Sequence, residues 1–339
     1  MNGKIYTISR MILVFSSILL SFLTANAAVI TNGDTGTTQN SVADFDGDGK
    51  SDISVFRPSN GFWYIMKSSG GYSSVQWGLA TDQLVPGDYD NDGKTDLAVY
   101  RRGFFASTGG DNNTWYILRS SDNVISARVW GRSAISGSGA PVPADFDGDS
   151  KTDLAVYDSS DVVPVPGSFR ILQSSTDSGV IRQWGTNADR RVPADYDGDG
   201  KADLAVYRNF ELFGKTLDGN WYILQSSNGA VRVERFGLPT DRHIPADYDG
   251  DGKADIAVWR PSNGFWYRIN SSDNSFSSIQ FGLPSDKPTP ADYDGDGKTD
   301  VAVFRPSNGV WYLQRSTEGL TAQRFGLQDD IPLPNLFVR

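Results

Sequence analysis

The sequence predicts an all-β fold, a β-propeller of six four-stranded blades, with seven blades as the alternative count. A nine-residue stretch of the form DYDGDGKTD, found at 292–300, recurs six times at intervals of 44, 57, 50, 52 and 45 residues. The segments between these stretches are short, rich in β-branched and aromatic residues, and bounded by turn residues, without helical periodicity. Repeats of this length that hold four short strands each are typical of propeller blades.

The first 27 residues predict a secretory signal peptide. Lys4 and Arg10 precede an apolar run at 11–23, and Ala25-Asn26-Ala27 supplies small residues for cleavage. An uncleaved anchor is the alternative, although the apolar run is short for a membrane span. Residues 28–40 are expected to be an N-terminal segment, and the mature protein is expected to be secreted or at the cell surface, without a membrane span.

Composition narrows the function classes. The chain has no cysteine, which excludes disulfides, thiol catalysis and cysteine-bound metal. Aspartate supplies 38 of the 41 acidic residues, and 24 of these lie in the six repeated stretches. Removal of Lys4 and Arg10 would take the net charge from −10 to −12, and six Ca²⁺ would bring it close to zero. The acidity therefore indicates metal sites, and nucleic-acid binding is not expected because there is no basic tract.

Each predicted repeat, within a propeller at 41–339, has the same order of elements. The repeats start near residues 41, 85, 142, 192, 244 and 289. A short first strand leads into the aspartate stretch, a second strand such as 204–207 follows, and a turn leads to an aromatic third strand. A Ser/Asn/Asp turn then precedes a fourth strand that ends in Trp-Gly or Phe-Gly. Residues 330–334 copy the start of a further repeat, and we expect them to close the ring by pairing with the first blade.

The repeated stretch has the ligand spacing of a calcium loop. Carboxylates stand at positions 1, 3, 5 and 9, a lysine whose carbonyl oxygen can bind metal stands at position 7, and glycine at position 6 permits the turn. The predicted structural calcium ligands are Asp44, Asp46, Asp48, Lys50, Asp52, Asp88, Asp90, Asp92, Lys94, Asp96, Asp145, Asp147, Asp149, Lys151, Asp153, Asp195, Asp197, Asp199, Lys201, Asp203, Asp247, Asp249, Asp251, Lys253, Asp255, Asp292, Asp294, Asp296, Lys298 and Asp300. An acidic turn without metal is the alternative.

Two features modify this pattern. Position 12 is valine in every repeat, where an EF-hand needs a bidentate glutamate, and the flanks predict strands rather than helices. Ser150 replaces glycine at position 6 of the third loop, and Asn91 replaces glycine at position 4 of the second. Asparagine tolerates a positive φ better than serine does, so the third site is expected to be the weakest.

A second repeated pattern predicts ion pairs. Arginine ends the second strand in five blades, and an aspartate follows each corresponding Trp-Gly or Phe-Gly; these residues are Arg57, Arg101, Arg208, Arg260 and Arg305, with Asp82, Asp189, Asp241, Asp286 and Asp330. The third blade has Asp158 instead of arginine, and the linker that enters it lacks the aspartate. We expect bidentate pairs, with Asp330 reaching Arg57 across the ring closure. Anion binding by these arginines is the alternative.

These motifs resemble the FG-GAP/VCBS repeat family, which includes the propeller of integrin α subunits and many exported bacterial proteins. The resemblance rests on the DxDGDGKxD loops and the terminal Phe-Gly or Trp-Gly, and it covers residues 41–339. Pro-Ala-Asp replaces the Gly-Ala-Pro of the family name, which matches the bacterial branch. The resemblance implies that the calcium loops lie on one face, between first and second strands, and that ligands engage the opposite face.

Insertions indicate where a ligand could bind. The connection between the second and third strands is longer in blades two, three and four than in the others. The exposed candidates on these connections are Phe104, Phe105, Asn112, Asn113, Phe210 and Phe213. Neutral loop variation is the alternative. The third-strand tryptophans are expected to pack between blades rather than to stack on sugars, because nearly every blade has one.

The leading functional hypothesis is a calcium-stabilised extracellular module, a monomer, that binds or adheres to a glycan or protein ligand. A polysaccharide-active enzyme resembling propeller lyases, or a purely structural surface component, are the alternatives. His243 is the only histidine, and it is expected to be a solvent-facing linker residue, so no catalytic triad is predicted. Calcium affinity is expected to be weak, roughly 10⁻⁴ to 10⁻³ M.

Overall fold

The computed structural model describes residues 43–103, 113–131, 139–158, 166–212 and 215–334, with the side chains of 210–212 and 215–218 left aside. These residues form six antiparallel four-stranded sheets, arranged as the blades of a ring. The prediction of a six-bladed all-β propeller is therefore confirmed. The predicted signal peptide and the N-terminal segment lie outside the described residues. No helix in the described ranges is long and apolar enough to cross a membrane.

Each blade runs from an innermost strand of two residues to a solvent-facing outermost strand. Blade one holds β24 (Ile331–Pro332), β1 (Ile53–Arg57), β2 (Phe62–Met66) and β3 (Tyr72–Gln76), and blade two holds β4 (Gln83–Leu84), β5 (Leu97–Arg101), β6 (Thr114–Leu118) and β7 (Ile125–Val129). Blade three holds β8 (Ala140–Pro141), β9 (Leu154–Asp158), β10 (Pro166–Gln173) and β11 (Ser178–Thr186). Blade four holds β12 (Arg190–Arg191), β13 (Leu204–Leu212), β14 (Lys215–Leu224) and β15 (Val231–Arg235). Blade five holds β16 (Arg242–His243), β17 (Ile256–Arg260), β18 (Phe265–Ile269) and β19 (Phe276–Gln280), and blade six holds β20 (Lys287–Pro288), β21 (Val301–Arg305), β22 (Val310–Arg315) and β23 (Gly319–Arg324).

The end of the chain closes the ring. Strand β24 pairs antiparallel with β1, with Ile331 opposite Phe56 and Pro332 opposite Val55. The amide of Leu333 also donates to the carbonyl oxygen of Ser54 at 3.0 Å. The first strand of blade one therefore comes from the far end of the sequence, as the copy of a repeat start at 330–334 predicted.

Burial follows the position of each strand in its blade. The second strands are buried on both faces, whereas the outermost strands alternate between exposed and partly buried residues. A strand covered on both sides needs a continuous apolar run, and one that faces water on one side needs alternation. The apolar second strands and the mixed fourth strands in the sequence are therefore explained by their distance from the ring axis.

The hydrophobic core lies between neighbouring blades. The cluster around Trp221 joins Tyr207 of blade four to Ile256 and Val258 of blade five, and five similar clusters lie around the ring. The third-strand tryptophans Trp63, Trp115, Trp221, Trp266 and Trp311 are all 0% exposed, as expected for packing residues. Because each cluster draws on two blades, a single blade lacks a complete core of its own.

Each of these tryptophans also forms a hydrogen bond with the end of the fourth strand of its blade. The indole N–H donates to the carbonyl oxygen of the Trp or Phe in the terminal Trp-Gly or Phe-Gly, as in Trp63 to Trp77 at 2.8 Å and Trp311 to Phe325 at 2.8 Å. Blade three has Phe169 at this position, which cannot donate. There the Tyr157 hydroxyl lies 3.1 Å from the Trp184 carbonyl oxygen and 2.8 Å from that of Thr186. A tyrosine on the second strand thus replaces the missing indole.

The predicted arginine–aspartate pairs form in the five blades that carry them. In blade five Arg260 donates Nε and a terminal nitrogen to the two Asp241 oxygens, each at 2.9 Å, and Arg57 binds Asp330 in the same way across the ring closure. All five aspartates are buried. Blade three keeps a pair of opposite order, in which Arg170 of β10 binds Asp158 of β9. The arginines thus take the structural role rather than that of an open anion site.

Candidate metal centres

Six aspartate loops lie at one end of the ring, which we call the loop face. Five of them join the first and second strands of a blade, and the loop at 44–52 leads into β1. The N–H of position 9 donates to the carbonyl oxygen of the residue before position 1, as from Asp203 to Ala194 at 2.8 Å. This bond brings the two ends of each loop together. The linkers that enter the blades and the turns between second and third strands lie at the other end, the linker face.

The first carboxylate of each loop organises the turn. In the fourth loop, the Asp195 oxygens accept the N–H groups of Gly198 at 2.6 Å and Gly200 at 2.8 Å. Both glycines have a positive φ, 81° and 83°, which L-residues with a side chain rarely adopt. A positive φ at positions 4 and 6, which glycine adopts most readily, therefore aims two amides at position 1; Asn91 and Ser150 adopt it in the second and third loops.

The ninth residue anchors the loop to the rest of the blade. The Asp203 oxygens accept the N–H of Tyr196 at 2.9 Å and of Ser226 at 2.7 Å. Burial raises the pKa of this carboxyl to about 6, against the opposing effect of these two bonds, and it does the same at position 9 of the other loops. Without a cation, therefore, the loops hold protons more tightly than ordinary aspartates do.

The turn between the third and fourth strands supplies hydroxyl groups to the same site. Ser226 Oγ donates to Asp199 at 2.8 Å, and Ser227 Oγ donates to Asp197 at 2.7 Å. Equivalent Ser-Ser or Ser-Thr pairs occupy this turn in all six blades. The aspartate spacing alone did not indicate these residues, although their repetition in every blade was a signal for this role.

One oxygen of position 3 has no hydrogen-bond partner and is buried. This holds for Oδ1 of Asp46, Asp90, Asp147, Asp197 and Asp294. A buried carboxylate oxygen without a donor is costly, because it has lost water and gained nothing in exchange. The oxygens fit a hard cation, which would occupy the open lone pairs.

The carboxylates converge closely enough to share one ion. Oxygens of positions 1, 3 and 5 lie within 4.8 Å of one another in the first, fourth and fifth loops, and those of positions 1, 3 and 9 do so in the second and third. A set made of oxygen ligands alone is the kind that Ca²⁺ or Mg²⁺ prefers. The donor set of this chain therefore fits a divalent hard cation at each of these loops.

Neighbouring loops are joined in a closed belt. The N–H of position 8 donates to the carbonyl oxygen of position 1 in the preceding loop, and the six bonds measure 2.6 to 2.7 Å: Thr95 to Asp44, Thr152 to Asp88, Ala202 to Asp145, Ala254 to Asp195, Thr299 to Asp247, and Ser51 to Asp292. The lysine of position 7 packs beside this bond, with Lys253 lying across Gly198. Each candidate site is therefore in contact with the next.

The predicted ligand-binding residues have different outcomes. Phe104, Phe105, Asn112 and Phe213 lie outside the described residues, and Phe210 lies in β13, where only the backbone is described. Asn113 is 3% exposed, and its side-chain oxygen accepts the Gly103 N–H at 3.0 Å. The prediction of an exposed Asn113 is therefore wrong, because this side chain closes the base of the blade-two insertion.

The insertion of blade four is a hairpin rather than an irregular loop. Strands β13 and β14 continue past the ion pair of Arg208, and their pairing extends to Leu212 opposite Lys215 after a register shift between Arg208 and Phe210. The corresponding turn in blade five ends at Arg260 opposite Phe265. Blade four therefore projects from the linker face.

The expectation of a solvent-facing His243 is also wrong. Its ring is 1% exposed and lies 3.9 Å from the Tyr207 ring and 5.2 Å from the Trp221 ring, between centroids. Burial, with the nearby charge of Arg190, lowers the pKa of His243 to about 3, so the ring is neutral at physiological pH. The two-residue strand β16 turns alternate side chains to opposite blades, and His243 takes the position of Leu84 in blade two.

Comparison with known proteins agrees with this geometry. The model of the FG-GAP-like repeat matches residues 44–99 and 247–303. Each match begins at a loop aspartate and ends in the second strand of the following blade. The chain is a six-bladed propeller that carries FG-GAP-like repeats. No curated protein matches the sequence.

Solved structures similar to this FG-GAP-like propeller are distant in sequence. They include a virginiamycin B lyase from Staphylococcus aureus, with 10% identity, 88% of this chain and 94% of that chain covered, and a TM-score of 0.48. AofleA from Arthrobotrys oligospora has 11% identity, coverage of 87% and 90%, and a TM-score of 0.45. AztD from Citrobacter koseri has 12% identity, coverage of 83% and 87%, and a TM-score of 0.38. At these scores the similarity carries no inference about the activity of this chain.

Proposed function

We propose that this FG-GAP-like propeller is a calcium-stabilised binding module that acts outside the cytoplasm. Calcium binds the aspartate loops and stabilises the loop face, and the linker face binds a glycan or protein ligand. The observation that carries the proposal is the buried, unpartnered Oδ1 of position 3 in five of the six loops. The predicted signal peptide and the absence of cysteine support export of a chain that uses metal rather than disulfides for stability.

Calcium is favoured over magnesium by the number of oxygens and the form of the loop. Each loop offers four carboxylates and a backbone carbonyl within nine residues, and the turn hydroxyls of Ser226 and Ser227 lie beside them. Ca²⁺ accepts six to eight oxygen ligands in variable geometry, whereas Mg²⁺ requires a strict octahedron and retains water. In this proposal calcium is structural, because it neutralises the loop carboxylates and couples the second strand to the turn between the third and fourth strands.

The ligand-binding part of the proposal rests on asymmetry. The blades repeat the same core, but blade four extends its hairpin from the linker face by paired strands. A rigid scaffold with one projecting element is a common arrangement for recognition. The six loops are nearly identical, so they are poorly suited to distinguish one ligand from another.

Calorimetric unfolding with millimolar Ca²⁺ and with chelator, together with metal analysis, tests the calcium role. We expect one Ca²⁺ per loop, six per chain, and a higher Tm with calcium, because the ion binds only the folded state. Asp197→Asn should remove one ion and lower the Tm in calcium. Asp329→Asn, at an exposed position on the linker face, is the matched control and should change neither. A Tm unaffected by chelator would contradict the proposal.

A graft between blades tests the ligand role. Replacing residues 209–220 by the shorter connection of blade five, Pro-Ser-Asn-Gly-Phe, removes the blade-four projection and keeps the Arg208 and Trp221 positions. We expect the graft to retain the calcium-dependent Tm and to lose the glycan-array signal of the parent chain. Depolymerisation of a bound polysaccharide by the parent chain would instead show an enzyme.

A further inference from the structure

Cations occupy the start of the innermost strand in three consecutive blades. Arg190, Arg242 and Lys287 hold this position in blades four, five and six. The strand pairings place them at the same height, opposite Tyr207, Trp259 and Phe304. They follow the linker aspartates directly, so they lie at the linker-face end of the ring axis. Blades one, two and three have Ile331, Gln83 and Ala140 there.

None of these cations forms a salt bridge within the described ranges, although Asp330 and Asp329 lie near enough to Lys287 to attract its charge. Arg190 donates to the carbonyl oxygens of Pro239 at 3.1 Å and Asp241 at 3.0 Å, and Lys287 donates to the Asp330 carbonyl oxygen at 3.0 Å. The carboxylates of Asp241 and Asp330 are already bound by Arg260 and Arg57. Asp241 and Asp330 are therefore not free to neutralise the three cations, and the exposed Asp329 is the nearby carboxylate that remains.

Arg242 is the most exceptional of the three. In the part of the chain that the structure describes, its guanidinium has neither a hydrogen bond nor an ion pair, and its central carbon lies 5.6 Å from the Trp259 ring centroid. The side chain is only partly exposed, and burial lowers its pKa. Burial also lowers the pKa of Lys287, and the charge of Arg242 adds to this effect against the opposing attraction of Asp330 and Asp329. The five N–H donors and the positive charge of the Arg242 guanidinium thus remain available to a ligand at a partly buried position.

The same face shows what such a guanidinium binds. Five other arginines at the ends of second strands each hold a carboxylate through Nε and one terminal nitrogen, at 2.7 to 2.9 Å. This planar, two-point geometry matches carboxylate closely. Arg242 has the same donors and lacks the acceptor.

We propose that Arg242, with Lys287 and Arg190 beside it, binds a small organic carboxylate at the linker-face end of the ring axis. This inference rests on the proposed function and narrows its ligand to a carboxylate-bearing molecule, such as a sugar acid. The cations are only partly exposed, and the extended hairpin of blade four projects past Arg190. A small acid can reach partly exposed cations at the end of an innermost strand more readily than a broad protein surface can.

Titration of the arginine Nε–H signals by NMR, on the mature chain saturated with calcium, tests the site. Galacturonate and glutarate are the probes, and sodium sulfate at equal ionic strength is the comparison. We expect a saturable shift of the Arg242 signal with both acids. That signal should be absent in Arg242→Gln, and the affinity should fall about tenfold or more in Lys287→Gln, as for loss of one charge-assisted hydrogen bond.

The controls separate this site from the calcium role. Glutamine occurs at the equivalent position in blade two as Gln83, so Arg242→Gln should fold with an unchanged calcium-dependent Tm. Arg268→Gln, elsewhere in blade five, should retain the shift of the Arg242 signal.

Three outcomes bear on the inference directly. If neither acid saturates the Arg242 signal up to about 50 mM, the Kd is weaker than the millimolar range and the inference is overturned. An equal response to sulfate, or binding only of a polyglutamate chain, would overturn it as well. Binding without calcium-dependent stability would leave it standing and refute the calcium role.

Discussion

Ser150 shows how single residues set the quality of each loop. It adopts φ 68° at position 6, where the other five loops have glycine at 81° to 84°. Nothing lies within 4 Å of a Cβ built on the equivalent glycines Gly49, Gly93, Gly200, Gly252 and Gly297. The preference for glycine at this position is therefore due to backbone conformation and not to space. Asn91, at φ 63° in position 4, shows the substitution that this conformation tolerates best.

We expect Ser150→Gly to stabilise the protein. Removing the left-handed strain of a residue with a side chain should add about 1 kcal/mol to the free energy of unfolding, which corresponds to a rise in Tm of roughly 2 °C for a large domain. Calorimetry in calcium measures it. The reciprocal control, Gly200→Ser in the fourth loop, should lower the Tm by a similar amount. A lower Tm in Ser150→Gly would show that the Ser150 side chain is itself important.

Individual residues also mark the limit of sequence prediction. The carboxylate spacing and the glycines of the loops were predictable, because all of them lie within nine residues. The serine contributions were missed because Ser226 and Ser227 lie 23 to 30 residues from the aspartates they bind. His243 was misassigned because the polarity of its linker does not reveal which blade a two-residue strand faces. That orientation follows from the pairing of His243 with Val258.

At the scale of the loop, burial and metal binding act on the same carboxylates in opposite directions. The carboxyl at position 9 has a pKa of about 6 in the folded chain without metal, above the value of 3.8 expected when unfolded. The folded state thus binds more protons than the unfolded state between these values. This contribution to stability is fully present below about pH 4 and is lost as the pH rises through 6. A bound cation reverses the effect, since it favours the ionised form.

We therefore expect opposite pH dependences with and without calcium. Between pH 7 and pH 5 the Tm should rise in chelator, because the six position-9 carboxyls take up protons, and it should fall in calcium, because protons displace the ion. Unfolding curves across this range measure both. Parallel curves in the two conditions would exclude the loops as calcium sites.

His243 needs a control, because its protonation affects the stability of the folded state in the opposite direction to that of the position-9 carboxyls. Its pKa is about 3 when folded and near 6.5 when unfolded, so it destabilises the folded state as the pH falls below 6.5. His243→Leu, which copies Leu84 of blade two, removes this contribution. The rise in Tm in chelator should then become steeper.

At the scale of the whole molecule, two separate contacts close the ring, one near the axis and one at the linker face. Strand β24 pairs with β1 near the axis, and Arg57 binds the buried Asp330 at the linker face. The ring closure was predictable, because 330–334 repeats the start of a blade. The projection of the blade-four hairpin was not, because an insertion in sequence does not show whether its two halves pair.

We expect Arg57→Leu to weaken the closure specifically. Removal of the arginine leaves the Asp330 carboxylate buried without its partner, which should cost about 3 kcal/mol or more of unfolding free energy. Hydrogen exchange of the C-terminal segment, in particular the Leu333 amide bonded to Ser54, should accelerate. Arg305→Leu breaks the equivalent pair with Asp286 inside continuous chain. It should cost a similar free energy without exposing Leu333, and equal exchange in the two variants would contradict a special role of the closure.

The belt of six hydrogen bonds between loops has a consequence for how such a molecule can change over generations. Every loop gives one bond to its predecessor and takes one from its successor, including the pair Ser51 and Asp292 that are distant in sequence. No loop is first or last in that circle, so the belt continues across the point where β24 closes the ring. Gain or loss of a repeat is a different matter, since a circle of six equal steps closes at five or seven only if every step changes its angle. A substitution within one blade can leave the belt intact, as in the third blade, whereas a change in the number of blades cannot.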